Sequence, residues 1–361
     1  MDELALSETP RSRRRSRPRG ALRDCFYHWF CELEARGEET TFRLGQVSGH
    51  EAQPVWTCLP HHTFDGLGGL YHVIGERFGR QLELPVLTGP YPGVLAQSLA
   101  ALRVLAARAP KLLSFRREAK AHAGDHPIAV WSLFTQAQTS ALRAVSRAQE
   151  TSLTAFMLAA LTAAIRPLLV EGPGMVNWVV PVNMRGAEAD LAPTDNQAAT
   201  LDVSFPAAAT ARMVDAELRE KRRRNMHWGV WQLLKWLGWA GPRVIRFVAR
   251  QELGVRKHGS FSNMGNVRLG SDAAEPSREP EWWLALNPVQ RPRPLGAACL
   301  SYNGRLSLTL QIHPVLGLDQ AAAQRVMDAW VRALHQPPSA DSKSTAGTTT
   351  LPPGFGGVNS T

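Results

Sequence analysis

Trp56-Thr57-Cys58-Leu59-Pro60-His61-His62-Thr63-Phe64-Asp65-Gly66-Leu67-Gly68-Gly69 is the stretch on which the reading of this chain turns. Two adjacent imidazoles close an apolar strand, a carboxylate stands four residues after the first, and a glycine follows. An imidazole with an unperturbed pKa near ~6.5 can accept a proton at neutral pH without further tuning. A carboxylate in the same turn can fix the loop or bias the tautomer. Gly66 permits backbone conformations closed to other residues, and Gly68 and Gly69 leave room for a substrate beside the main chain. Other uses compete. The histidines can be satisfied polar groups at a strand end. They can be metal ligands, although only His50 and His72 lie nearby and no distant ligand set completes a site. Cys58 can be a nucleophile, but within an apolar strand a cysteine usually serves as a small hydrophobe.

Outward from this stretch, residues 21–30, 41–47 and 54–59 read as strands. A helical pattern covers residues 67–78, and a second, rich in Ala and Leu, residues 95–107. Residues 108–128 are polar and basic and read as a connector. A strand at residues 130–134 leads to a helix over 135–147, and Ser152 caps a long apolar helix that ends near Leu169. Residues 175–182 form a near-continuous apolar strand, closed by Pro181-Val182-Asn183-Met184-Arg185-Gly186, and residues 198–205 form another. A charged helix over 209–224 precedes an aromatic, partly basic one over 228–249. Strands follow at 261–269, 297–302 and 305–313, the last pair joined by Tyr302-Asn303-Gly304, a strong hairpin signal. An amphipathic helix over 318–334 closes the pattern. Helices mixed with short hairpin-linked strands predict an α+β fold rather than a regular parallel alternation.

The 361 residues, 44% of them hydrophobic, suffice for one large domain or two modest ones. The net charge of +10 owes much to Arg11-Ser12-Arg13-Arg14-Arg15-Ser16-Arg17-Pro18-Arg19, a block too polar to fold that reads as a solvated tail. Residues 1–20 and 337–361 are therefore expected to be disordered tails, and no nucleic-acid partner is expected. The four cysteines show no metal spacing, and the N-terminal Arg block is followed by no clean apolar run, so reduced thiols and a cytoplasmic location are expected. No run of apolar residues is long enough for a transmembrane helix. The tryptophan-rich Trp228-Gly229-Val230-Trp231-Gln232-Leu233-Leu234-Lys235-Trp236-Leu237-Gly238-Trp239, flanked by arginines, has three readings: an interfacial helix on a membrane, the wall of an acyl tunnel, or a plain packed amphipathic helix.

The histidine stretch resembles the H-x-x-x-D-G signature of the chloramphenicol acetyltransferase-like superfamily. That group contains condensation domains, alcohol acyltransferases and wax ester synthase/diacylglycerol acyltransferases. His61 matches the catalytic histidine, Asp65 the structural aspartate and Gly66 the glycine. Many members place a second histidine before the catalytic one, whereas here His62 follows it. Val180-Pro181-Val182-Asn183-Met184-Arg185 resembles the family's strand ending in arginine, and Ser262-Asn263-Met264-Gly265 its Ser-Asn-x-Gly strand, both in the family's order. The resemblance spans roughly residues 21 to 335. It implies a two-lobed sandwich, with an N-terminal lobe over 21–128 and a C-terminal lobe over 129–336. Fewer residues precede the motif than the family places there, so the N-terminal lobe is expected to be shortened.

The resemblance further implies an acyltransferase of lipid or secondary metabolism. His61 would act as general base while an alcohol or amine attacks a thioester carried by coenzyme A or by a phosphopantetheinyl carrier protein. Those thioesters are co-substrates, and no bound cofactor or metal is implied. Asp65 would pair with Arg185 and hold the loop, unless Arg185 is merely a surface residue after a strand. His62 and Arg185 would help to bind substrate, and Ser262 and Asn263 would line the channel and donate to the oxyanion. Two other readings stay open: a non-catalytic binding relative, and a condensation domain acting on carriers in trans.

Overall fold

The computed structural model describes residues 20–49, 53–79, 82–87, 91–119, 125–269 and 281–335. The expected tails, apart from Gly20, lie outside the described residues. The chain opens with α1 (Ala21–Glu34), where a strand over 21–30 was the expectation. Phe, Tyr and Trp favour strands, but Leu22, Cys25, Phe26 and Leu33 share one helical face and are buried there. Periodic burial outweighs the local propensity.

Strands β1 (Thr41–Ser48) and β2 (Val55–Pro60) pair antiparallel, with Leu44 opposite Thr57. There follow α2 (Gly66–Phe78), the short β3 (Leu82–Glu83), α3 (Val94–Ala106) and β4 (Ile128–Leu133). Next come α4 (Gln136–Ala148) and α5 (Leu153–Ile165). Thr135 and Gln138 form a capping box on α4, and the Ser152 hydroxyl accepts from Ala155 N on α5, satisfying donors that a helix start leaves unpaired. Strands β5 (Met175–Asn183) and β6 (Ala198–Pro206) lead to α6 (Ala211–Arg223), α7 (Met226–Ala240) and α8 (Pro242–Glu252). The single helix expected over 228–249 is thus two. Gly241, at φ 89°, leaves helical geometry, and Pro242 starts the next helix where its missing N–H costs nothing. The chain ends with β7 (Gly259–Leu269), β8 (Glu281–Leu286), β9 (Leu295–Tyr302), β10 (Arg305–Ile312) and α9 (Gln320–His335). β8 was not anticipated. It is the six-residue run Glu281-Trp282-Trp283-Leu284-Ala285-Leu286, buried throughout.

The larger sheet runs β4-β10-β9-β7-β5-β6, with β3 added alongside β7. β7 lies parallel to β5 and β9, and the other pairs are antiparallel. The smaller sheet is β2-β1-β8. One face of the larger sheet packs under α5 and α9 in the main core, where Trp330 donates from Nε1 to Met157 O at 3.1 Å. α5 is apolar all round because it is covered on several sides, nine of its residues being buried. The other face carries the smaller sheet, with Trp283, Ala285, Ala298, Leu300 and Tyr302 in one cluster with α2. β8, from late in the chain, therefore completes the sheet begun by β1 and β2, while α1, from early in the chain, lies on α7 and α8. The result is a mixed α+β fold whose two sheets and helix group α1, α3, α7 and α8 converge on one cavity.

Candidate active site

Asp65 is the N-cap of α2, and its carboxylate accepts from Gly68 N at 2.7 Å. The same carboxylate meets the guanidinium of Arg185, which follows β5, through Nη2 at 2.7 Å and Nη1 at 3.0 Å. Gln197 N, at the start of β6, donates a further bond at 2.7 Å. Both charged side chains are almost fully buried, with relative exposures of 5% and 7%. Arg185 spends its remaining donors on Pro193 O, Asp195 O and the Asn183 side chain. A bidentate pair with its spare donors and acceptors satisfied is the arrangement in which burial of two charges is tolerated. The family resemblance implies that these two residues, 120 positions apart, are partners, and the structure brings them together.

The motif glycines work differently from expectation. A Cβ at Gly68 would lie 2.4 Å from Thr194 O and 2.8 Å from Arg185 Nη2, and one at Gly69 would lie 2.4 Å from the Phe42 ring. The space they leave is filled by protein and is not open to substrate. Gly66 lies in the first turn of α2 with no unusual φ, and a side chain there would press on Met264.

His61 sits in the turn after β2, and that turn is gripped from the β5–β6 connection. Asn196 donates from Nδ2 to His61 O, and its own N–H donates to Thr63 O, both at 2.8 Å. The imidazole packs between Phe30 of α1 and Phe42 of β1, with ring centroids 4.9 and 5.4 Å away. Nδ1 lies 2.8 Å from Phe64 O. A carbonyl can only accept, so Nδ1 carries the proton and Nε2 presents its lone pair. Among the described residues Nε2 has no hydrogen-bond partner. Burial pushes the His61 pKa below its ordinary value, against the opposing pull of the Phe64 carbonyl and Asp65 and with a smaller push from Arg293. The neutral, proton-accepting form is thereby favoured near neutrality.

His61 lines a cavity of about 410 Å³, in the range usual for small-molecule sites. Its walls are largely apolar. Val230, Leu233, Leu234 and Leu237 of α7 face it at helical spacing, opposite Phe26, Trp29 and Phe30 of α1. Of the three readings of the tryptophan-rich helix, this places one apolar stripe on the cavity. Trp228 and Trp231 are buried and cannot meet a headgroup layer, while Trp239 is 67% exposed. No single helix among the described residues is long and apolar enough to cross a membrane. Nor does any cluster of His, Cys, Asp and Glu among them have metal-holding geometry.

The remaining expected residues divide. Ser262 and Asn263 of β7 both line the cavity. Ser262 Oγ accepts from Asn287 Nδ2 at 3.0 Å and keeps its own proton to donate. The Asn263 carboxamide is engaged with Thr154 Oγ1 and Gly265 N beside a bulge in β7. His62 turns elsewhere: Nδ1 lies 2.9 Å from Thr63 Oγ1 and the ring meets Tyr27 edge-on, outside the cavity lining. Cys58 is exposed on the β2 strand. Sequence reasoning missed Asn196, Asn287, Lys257 and Arg293. All four line the cavity or its loop, and all come from connections whose local sequence carries no periodic signal.

No protein-family model matches the chain, and no curated protein matches it. Similar chain paths occur among solved structures. The epimerization domain from the third module of tyrocidine synthetase B aligns with a TM-score of 0.48 at 13% identity, over 77% of this chain and 67% of that one. A trichothecene 15-O-acetyltransferase from Fusarium sporotrichioides aligns with a TM-score of 0.49 at 12% identity, over 86% and 74%. Polyketide synthase associated protein 5 from Mycobacterium tuberculosis aligns with a TM-score of 0.45 at 16% identity, over 78% and 72%.

Proposed function

We propose that this protein transfers an acyl group from a thioester to a hydroxyl or amine acceptor, with His61 Nε2 as the general base. The observation that carries the reading is the fixed tautomer of His61. Its Nδ1–H is tied to Phe64 O, which leaves Nε2 without a partner among the described residues, on a cavity of about 410 Å³. As the acceptor's oxygen or nitrogen attacks the thioester carbon, Nε2 takes its proton. The carbonyl oxygen becomes an oxyanion, for which the Ser262 hydroxyl is the available donor. Collapse expels the thiolate, and the imidazolium returns the proton to it. Proton transfer of this kind contributes about 10²- to 10⁴-fold in rate. No acyl-enzyme is needed, and Asp65 takes no part in the proton path because Arg185, Gly68 and Gln197 occupy its oxygens. The apolar stripe of α7 suits the acyl chain.

The test is release of free thiol from a panel of acyl-coenzyme A donors of increasing chain length, with and without alcohol and amine acceptors. Acceptor-dependent thiol release with formation of ester or amide is expected. Acylated carrier proteins offered in parallel distinguish the two donor types. Absence of transfer from every donor of both types would favour a binding-only protein.

A further inference from the structure

The cavity holds three cations, and two are already paired. Arg185 belongs to Asp65, and Lys257 bridges Asp202 at 3.1 Å and Glu252 at 2.5 Å. Arg293 is the third. Among the described residues its guanidinium has no carboxylate within ion-pairing distance, and its side-chain hydrogen bonds go to one neutral oxygen, Gln290 Oε1, reached from both Nε and Nη2. Arginine carries five N–H donors in a planar fork, so the Nη1–Nη2 edge is left without an acceptor among the described residues. Glu252, Asp202 and Glu38 lie near enough to act on its charge, yet none pairs with it, and a half-buried group with unused donors is costly unless something completes them. Burial does push its pKa below the usual arginine value.

The segment that presents Arg293 is held firmly. It lies between β8 and β9 in a tight turn closed by Arg293 N to Gln290 O at 2.8 Å, with the return bond at 3.2 Å. Lys257 N anchors the turn at Pro292 O, also at 2.8 Å, and Glu39 holds Val289 N from β1's side. A fork on a pinned turn is preorganised, which limits the ordering entropy lost on binding. Arg293 and His61 line the same cavity, and the guanidinium is near enough for its charge to be felt at the imidazole.

From this placement we infer that Arg293 is a carboxylate-binding residue, and that the acceptor acylated at His61 carries a carboxylate that docks on the Nη1–Nη2 edge. The inference rests on reading the cavity as an acyl-transfer site, and it also stands as a plain binding claim. Charge-assisted bidentate pairing makes the expected preference for an acid over its neutral amide about tenfold or more.

The experiment uses the full chain with 3-hydroxybenzoate and 3-hydroxybenzamide, which differ only in the charge offered to Arg293. Affinities are measured calorimetrically for wild type, Arg293→Gln and Arg293→Lys, and acylation of each hydroxyl is followed with an acyl-coenzyme A donor. Wild type is expected to favour the acid by about tenfold or more, Arg293→Gln to bring the ratio close to one, and Arg293→Lys to keep part of it. An acid preference without any turnover supports the carboxylate site and removes the acyl-transfer reading. Turnover with no acid preference in wild type does the reverse. Failure of the acid to bind, or an acid preference that survives in Arg293→Gln, overturns the proposal. So does finding that Arg293→Gln abolishes instead a preference for coenzyme A thioesters over phosphate-free N-acetylcysteamine thioesters, since Arg293 would then serve the donor.

Discussion

His61 and Asp65 are four residues apart and have opposite duties. Asp65 is locked with Arg185 and two backbone donors in the interior, so Asp65→Ala strands a buried guanidinium. A loss of about 3–5 kcal/mol is expected, visible as a lower urea midpoint at unchanged slope. His61→Ala removes a half-buried ring from the cavity wall and should melt within a few degrees of wild type. Because burial lowers the His61 pKa, kcat/KM should rise with pH along a limb whose midpoint lies below ~6.5. A midpoint above that value would contradict the neutral-base assignment. At this scale the family resemblance made the Asp65–Arg185 pair legible, and the structure joins the two, whereas Gly66 adopts none of the special backbone expected of it. Arg293 and Asn287 were not legible, since a Pro- and Arg-rich connection reads as a solvated loop until the sheets close around it.

The elements were mostly visible from apolar periodicity, and the misreadings share a cause. The sequence of α1 reads as a strand because its aromatics dominate a ten-residue window, although its buried positions repeat every three to four residues. β8 escaped because the five apolar residues that follow Glu281 have no alternation to detect when both faces are covered. Gly241 and Pro242 broke a helix that composition made look continuous. Close approach between elements was also illegible, and it makes the sharpest element-scale prediction. Gly68→Ala would push its methyl into Thr194 O and the Arg185 guanidinium, forcing α2 away from the β5–β6 connection. A cost of about 1–3 kcal/mol is expected, together with loss of activity from displacement of the His61 turn. Wild-type stability in Gly68→Ala would show that this packing is softer than described.

Across the whole molecule, two histidines outside the cavity lining make the fold sensitive to acid. Burial lowers His227 and His258 to about 4. In the unfolded chain they titrate near ~6.5, so above that pH neither state binds the proton and their stability contribution is complete. Between about 6.5 and 4 the unfolded chain binds protons that the native state refuses, and stability falls as pH falls. His258 cannot accept a proton on Nδ1 and still receive Asn177 N, which it does at 3.1 Å. The melting temperature should therefore drop steadily over that range, and His258→Leu should flatten the slope. A melting temperature constant from pH 6.5 to 4 would contradict it. The central claim concerns what two sheets and an aromatic helix group surround: one imidazole lining a cavity, its Nε2 without a partner among the described residues. Its most direct test is a single-turnover measurement of acyl transfer by purified His61→Ala beside wild type, with folding checked by thermal melting. A folded variant slowed by about 10²-fold or more is the predicted result, and transfer at the wild-type rate would contradict the account.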